Sequence, residues 1–493
     1  MTRVPSLAIL LFAGLALSFA FPEPSLAPLA WVAIVPLLLI ARDSPRRGFA
    51  LGTAFGVGFF GSLLIWVSVV GWAAWAVLVI MESLFIGLFG AGWAIASRSD
   101  RRWWPLIAPA LWVTLEALRS LVPVVGFPWG ELAQSQTVFP WLLQISQVGG
   151  AKTVSVVLVT VNTLVALALL SKGPARMRWG GGAVATIVAL VPLSYVVPRI
   201  DGSTAGEQSR VLRVAIVQGN ASPGVVVEDE LARVERHLRL TEQLVDEHID
   251  LVVWPESAVG IDPFEDPRVM AMIVRAARAV DAPMIVGANL ETDQNNYNVA
   301  TLHVSAEGDV LEVYRKTHLV PFGEYLPARR WLSWLPGVEQ IPRDAVAGSE
   351  PTNFEVGDTE VATVISFEGD FGPLVRDRVA QGARLITVAT NTSTWKNSWA
   401  SAQHLAMSQV RAAETRVPVV HAALSGISAA VGFDGVVGQR TELYTEGTIV
   451  FDMVPSADIS IYARTGEWLP LLCLVGSLIA LFAGWRRRST VPA

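Results

Sequence analysis

The sequence predicts a bundle of about eight transmembrane helices with one extracytoplasmic α/β domain placed before the last of them. Three observations carry this. The chain is 52% hydrophobic and only 16% charged, too apolar for an ordinary soluble protein of 493 residues. Eight apolar segments lie near the roughly 20 residues that a membrane span needs: seven at about residues 5–21, 26–41, 49–70, 72–96, 103–121, 153–170 and 180–197, and an eighth at 468–485. Beyond residue 210 the hydrophobic period changes to an alternation of strand and helix patterns.

Loop charge orients the spans. Arg42, Arg46 and Arg47 follow the second segment, and Arg98, Arg101 and Arg102 follow the fourth. Lys172, Arg176 and Arg178 follow the sixth, and Arg486, Arg487 and Arg488 the eighth. These four sites are expected on the cytoplasmic side. The connections at 22–25 and Gly71 carry no Lys or Arg, as the opposite side requires. The first segment has the look of a secretory leader, but its removal would invert every later span against this pattern. The expected organisation is a bundle over 1–200, a polar linker over 201–210, an α/β domain over 211–454, a second linker over 455–467, a membrane helix over 468–485 and a cytoplasmic tail over 486–493.

Within the α/β domain, strands are expected at 211–218, 249–254, 283–288, 361–365, 384–389 and 417–423. Helices are expected at 228–247, 267–280, 372–381 and 400–415, and three strand-like segments at 428–433, 435–440 and 447–454 close the domain. Such alternation means sheets covered by helices.

Composition also excludes classes of function. The net charge of −6 and the lack of a polybasic tract give no support to a nucleic-acid partner. The single cysteine, Cys473, lies inside the eighth segment and rules out a disulfide framework. The six histidines show no metal-ligand spacing, and no metal or cofactor is expected; only His318 lies close in sequence to a candidate catalytic group.

Three predicted strand ends carry reactive residues. Trp254-Pro255-Glu256 offers a carboxylate held by a rigid proline, suited to general-base work or to a solvated loop. Lys316 stands before His318-Leu319-Val320-Pro321-Phe322-Gly323-Glu324-Tyr325; it could stabilise an oxyanion with Glu324 orienting it, or form an ordinary surface pair with Glu324. Ile365-Ser366-Phe367-Glu368 runs from a strand into a turn before a helix, a place that projects a nucleophile, although Ser366 does not sit in Gly-x-Ser-x-Gly.

Taken together, Glu256, Lys316 and Ser366 resemble the Glu–Lys–Cys triad of the carbon-nitrogen hydrolase superfamily, whose fold is the nitrilase-like αββα sandwich. Further matches are Val217-Gln218-Gly219-Asn220, Asn391 to Trp395, Ser425-Gly426-Ile427-Ser428 and Tyr462-Ala463-Arg464-Thr465-Gly466. With Leu115-Glu116-Ala117-Leu118-Arg119 and Gly126-Phe127-Pro128-Trp129 in the apolar half, the whole chain is similar to the apolipoprotein N-acyltransferase family. The resemblance implies a multi-pass protein of the bacterial cytoplasmic membrane. It also implies a phospholipid acyl donor, a covalent acyl-enzyme and a diacylglyceryl-lipoprotein acceptor. Glu256 would be base and then acid, Lys316 the oxyanion stabiliser and Ser366 the nucleophile, supported by Glu324, Glu368, Tyr325 and Phe367.

An acyl donor needs an apolar path, and Trp331, Trp334 and Leu335 follow the Lys316–Glu324 loop as candidates for lipid contact, with core packing as the alternative. Val225–Val227 form a second apolar loop, which lacks the Trp usual in the family. The main departure is Ser366, since a hydroxyl needs stronger activation than a thiol. It is compatible with a working serine nucleophile, with a catalytically silent lipid- or lipoprotein-binding homologue, or with a laboratory Cys-to-Ser change. A membrane-tethered amidohydrolase passing its acyl group to water is the other enzymatic reading.

Overall fold

A computed structural model describes residues 3–121, 126–200, 210–221, 229–293, 296–332 and 341–489. It divides into two compact units, Met1–Ile200 with Thr465–Ala493, and Asp201–Arg464.

The first unit is helical. Among the described residues, four of its helices are long and apolar enough to cross a membrane: Trp72–Ala96, Ala151–Leu170, Gly173–Val196 and Trp468–Arg487. The second expected span is broken into a 3-10 turn, Ala27–Trp31, and a short helix, Val35–Ile40, each with a proline in its first turn. The third is a helix over Pro45–Leu63 that continues into a 3-10 turn, Ile65–Val69. Helices Pro45–Leu63 and Trp72–Ala96 approach so closely that a Cβ on Gly52 would lie 2.2 Å from the Ile86 carbonyl oxygen. Small residues permit such packing where burial against lipid gives no hydrophobic drive.

Charges are buried in this unit. Arg119 bonds Glu82 at 2.8 Å and the carbonyls of Phe127 and Trp129 at 2.7 and 2.6 Å. Lys152 lies 2.5 Å from Glu131 and 3.6 Å from Glu116, whose other oxygen accepts from the Leu132 amide at 3.0 Å. These pairs fasten the loop carrying Phe127 to Leu132 onto helices Trp104–Leu121 and Ala151–Leu170.

Among its described residues the second unit contains thirteen strands: β1 Leu212–Gln218, β2 Leu251–Val259, β3 Met284–Asp293, β4 Asn296–Val304, β5 Val310–Arg315, β6 Asp344–Ala345, β7 Asn353–Val356, β8 Thr359–Ile365, β9 Leu385–Thr390, β10 Val419–Ala423, β11 Ala429–Val431, β12 Val437–Arg440 and β13 Gly447–Met453. One sheet runs β13-β1-β2-β3-β4-β5, with β6 beside β4; the other runs β12-β11-β10-β9-β8-β7. Side-chain alternation sorts each strand between two cores. Val214, Ile216, Leu251, Val253, Val361, Ile365 and Leu385 pack between the sheets. Ala215, Val217, Val252 and Trp254 face the helices Glu230–Glu242 and Pro267–Val280, while Ala362, Val364, Ile386 and Val388 lie in the core with residues of Gly372–Ala380 and Ala400–Thr415. The layers are therefore helix, sheet, sheet, helix, the nitrilase-like αββα sandwich.

Two local expectations change. The strand at 283–288 is longer and pairs antiparallel with β4, for which no strand was expected. Residues within the expected second linker belong to this unit: the Ser456 amide donates to the Arg384 carbonyl, and the Ser460 amide to that of Thr415.

Candidate active site

Glu256 stands within β2 rather than beyond its end. Parallel pairing with β3 slips between Trp254 and Val259, Ser257 takes a left-handed φ of 57°, and the irregularity turns the carboxylate out of the ladder. Close backbone contact holds this bend, since a Cβ on Gly287 of β3 would lie 2.0 Å from the Pro255 carbonyl oxygen. Lys316 follows β5, its amide bonded to the Val299 carbonyl at 2.8 Å and its carbonyl to the Gly348 amide at 2.8 Å. Ser366 follows β8 with φ 50°, a strained strand-to-helix elbow that only surrounding structure can maintain.

Lys316 is wholly buried between two carboxylates. Its Nζ lies 3.2 Å from Glu256 Oε1 and bonds Glu324 Oε1 more closely still. Burial acts to lower the lysine pKa, but Glu256 and Glu324 together raise it above the usual value, so the ammonium persists. Burial raises the Glu324 carboxyl, against the pull of Lys316 and with Glu256 adding to the rise. The remaining oxygens are occupied: Glu256 Oε2 accepts from the Asn391 amide at 2.7 Å, and Glu324 Oε2 from that of Val320 at 2.8 Å.

Ser366 reaches this cluster indirectly. Its Oγ lies 3.2 Å from Thr390 Oγ1, and Thr390 immediately precedes Asn391. Glu368 is a brace. It accepts from the Tyr314 hydroxyl and Thr317 amide at 2.7 Å, the Thr317 hydroxyl at 2.9 Å, the His318 amide at 3.1 Å and the Ile365 amide at 2.9 Å. One carboxylate thus ties the lysine's strand exit to the serine's elbow. Phe367 is buried edge-on to Phe371 at 4.9 Å. Tyr325 closes the Glu324 turn through its carbonyl, which accepts from the Phe322 amide at 2.8 Å. His318 contributes its amide, while its ring lies against Phe371. Trp331 is 73% exposed on the short helix Arg329–Leu332; Trp334, Leu335 and Val225–Val227 lie outside the described residues. A cleft of about 770 Å³ is lined by Gly323, the neighbour of Glu324, and by Tyr297, Asp262, Glu291 and Arg343.

Residues 13–164 match the apolipoprotein N-acyltransferase N-terminal domain, and residues 213–459 match the carbon-nitrogen hydrolase family. The apolipoprotein N-acyltransferase of Mycolicibacterium smegmatis is 31% identical over 97% of this chain and 85% of its own length. The chain belongs to the apolipoprotein N-acyltransferase family. A second relative of that name, from Geobacter metallireducens, is 29% identical over 97% of this chain and 94% of its own. A solved amidase from Nesterenkonia sp. is 16% identical, with a TM-score of 0.40 over 53% of this chain and 95% of that one.

Within this family's pattern, several matching residues serve the fold. Gln218 Oε1 accepts from the hydroxyls of Ser428 and Thr441 at 2.6 and 2.8 Å, and its amide donates to the carbonyls of Glu442 and Thr445, each at 3.0 Å. Sequence reasoning missed Thr390, His404 and Asp370. His404 Nδ1 is 3.3 Å from Thr390 Oγ1, and Nε2 is 3.2 Å from Asp370 Oδ1. No spacing signal marks them: Asp370 ends the elbow's own 3-10 turn, whereas Thr390 ends β9 and His404 lies on helix Ala400–Thr415.

Proposed function

We propose that this chain is a phospholipid:apolipoprotein N-acyltransferase working by a ping-pong mechanism through an acyl ester on Ser366. The observation that carries the reading is the fully buried Lys316 held between Glu256 and Glu324 in the same sandwich as the strained serine elbow. In the first half-reaction Ser366 Oγ attacks the ester carbonyl of the phospholipid, and Glu256 takes the hydroxyl proton. The Lys316 ammonium stabilises the tetrahedral oxyanion. The ester C–O bond then breaks, and Glu256 returns the proton to the leaving lysophospholipid oxygen. In the second half the α-amino group of a diacylglyceryl-cysteine attacks the acyl ester. Glu256 accepts a proton from the amine and delivers it to Ser366 Oγ as the ester breaks. Glu324 and Glu368 hold Lys316 and the elbow in place.

Hydrolysis to water is not favoured, because both relatives named above align over 97% of this chain, apolar half included, and are acyltransferases by name. The experiment is intact-mass detection of an acyl adduct after incubation with phospholipid. Ser366→Ala is expected to abolish adduct and lipoprotein N-acylation, and Ser366→Cys to retain or raise them. Activity of Ser366→Ala equal to the parent would sink the assignment.

The membrane arrangement that goes with this function has eight spans in a bacterial cytoplasmic membrane. Both termini are cytoplasmic and residues 211–454 lie outside, as the placement of Arg and Lys supports. Glu307 is exposed in the β4–β5 turn. In a Cys473→Ala background, Glu307→Cys should react with an impermeant thiol reagent on intact spheroplasts; reaction only after lysis would reverse the orientation.

A further inference from the structure

Ser366 Oγ has one hydrogen bond among the described residues, and its partner is Thr390 Oγ1 rather than Glu256 or Lys316. Behind Thr390 lies a line of buried groups. His404 Nδ1 is 3.3 Å from Thr390 Oγ1, and His404 Nε2 is 3.2 Å from Asp370 Oδ1 and 3.4 Å from the Ser366 carbonyl oxygen. Thr390, His404 and Asp370 are 0%, 3% and 1% exposed.

The polarity of this line follows from its far end. Neither carboxylate oxygen of Asp370 accepts a hydrogen bond among the described residues, and His404 Nε2 faces one of them at ion-pair distance. A buried carboxylate without a cation is costly, so the imidazole beside it serves as imidazolium. Burial alone would lower the His404 pKa, but Asp370 raises it above the ordinary histidine value. Burial acts on Asp370 in the opposite sense, raising its carboxyl, and the His404 charge, with smaller contributions from Arg411 and Lys316, favours its ionised form. Two other titratable residues lie close to this pair, and the charge of one, Arg411, also acts on Asp370. His421, whose ring centroid is 5.1 Å from that of His404, is held well below the usual histidine value by burial and by His404, so it stays neutral. Arg411 pairs with Glu414 at 3.0 Å. With both ring nitrogens protonated, Nδ1–H goes to Thr390 Oγ1 and Nε2–H to the Ser366 carbonyl oxygen, with Asp370 Oδ1 beside Nε2 as its ion-pair partner. Thr390 must then turn its own proton towards Ser366 Oγ.

We propose that Asp370, His404 and Thr390 are positioning residues forming a donor line that ends on Ser366 Oγ and activates the hydroxyl. The proposal rests on the reading of Ser366 as nucleophile. Accepting from Thr390 leaves the Ser366 Oγ–H free to pass to Glu256. As the Oγ–H bond breaks and the Oγ–carbonyl bond forms, negative charge on Oγ is met by the Thr390 hydroxyl, itself polarised by the imidazolium. No proton crosses this line, so Glu256 remains the single group that takes and returns one. The line supplies by charge-assisted hydrogen bonding what a thiol has without it.

The test compares rates of acyl-adduct formation by intact mass, with the full chain in detergent micelles containing dioleoyl phosphatidylethanolamine. Thr390→Val keeps shape and removes the hydroxyl. In the parent it should slow adduct formation about 10-fold to 100-fold, below or within the loss caused by removing one oxyanion donor. Thr390→Ser should restore the rate to within about threefold, and Thr390→Val in a Ser366→Cys background should cost less than about threefold, because a thiolate forms without the line. Equal slowing in both backgrounds would mark a structural role and overturn the proposal, as would an unaffected parent. Adduct on Ser366→Cys but none on the parent would also overturn it while leaving position 366 as nucleophile. No adduct in either background would remove the nucleophile reading itself.

Discussion

Two buried lysines each stand between two glutamates, one in each unit of the molecule. Lys152 has Glu131 at 2.5 Å and Glu116 at 3.6 Å; Lys316 has Glu256 at 3.2 Å and Glu324 closer. The charge pattern is the same, and the surroundings separate their uses. Beside Glu116 and Arg119 lies a cavity of about 10 Å³, barely the space of one water, lined by Phe59, Phe60, Phe89 and Trp112. By contrast, the Glu324 turn borders a cleft of about 770 Å³, and the serine elbow belongs to the same unit. Ionisable groups in apolar surroundings are often functional. We therefore take the cluster beside the small cavity as a fastening of loop to helices, and the one whose turn borders the wide cleft as the site of the proposed chemistry.

That contrast is broken most directly at the lysines. Lys152→Met would leave Glu116 and Glu131 facing each other without a cation, and removing one partner of a buried pair costs about 3–5 kcal/mol. Loss of folded protein in detergent, followed by size-exclusion recovery and thermal unfolding, is the expected result. Lys316→Met should instead leave the protein folded. The Glu324 side chain is 14% exposed, and its pKa, already raised by burial, lets it take a proton when the lysine is gone. The rate of adduct formation should fall by about 10²–10³, the range for a lost oxyanion donor, with phospholipid binding little changed. If the two variants unfold alike, the lysines have one role and the distinction fails. If Lys316→Met loses binding and rate equally, the ammonium anchors phosphate instead.

The comparison also shows what a sequence can carry. Strands such as Leu212–Gln218 and Thr359–Ile365 are legible because alternate residues must enter different cores, and this leaves a period of two in the chain. Glu256, Lys316 and Ser366 are legible because each adjoins such a strand. Glu368 was identified as a supporting group, but its work as a five-bond brace depends on the Thr317 and His318 amides, about fifty residues away. His318 drew attention by its nearness to Lys316, yet its ring turns to Phe371; His404, 38 residues beyond Ser366, meets the elbow's carbonyl. Sheet register and crossover helices set those meetings, and neither is written in local periodicity. The second expected span was blurred for a local reason, since Pro28 and Pro36 start separate short turns inside one apolar run.

The smallest expected effect belongs to Trp331, which joins the features of the two units. It lies in the α/β unit and is 73% exposed, as bare as exposed tryptophans on apolar helices of the helical unit such as Trp72 at 66% and Trp485 at 62%. The Arg330 guanidinium lies 5.9 Å from its ring centroid, a pairing of cation and aromatic that suits an interface between lipid and water. Such a side chain contributes little to a core, so Trp331→Ser should change stability by no more than about 0.5 kcal/mol. If the ring guides an acyl chain from the bilayer, turnover of phospholipid in vesicles should drop several-fold while turnover of a short-chain ester dissolved in water stays the same. Equal loss on both substrates would place Trp331 in the reaction itself. A stability loss of several kcal/mol would make it a core residue and remove the lipid contact from the proposed function.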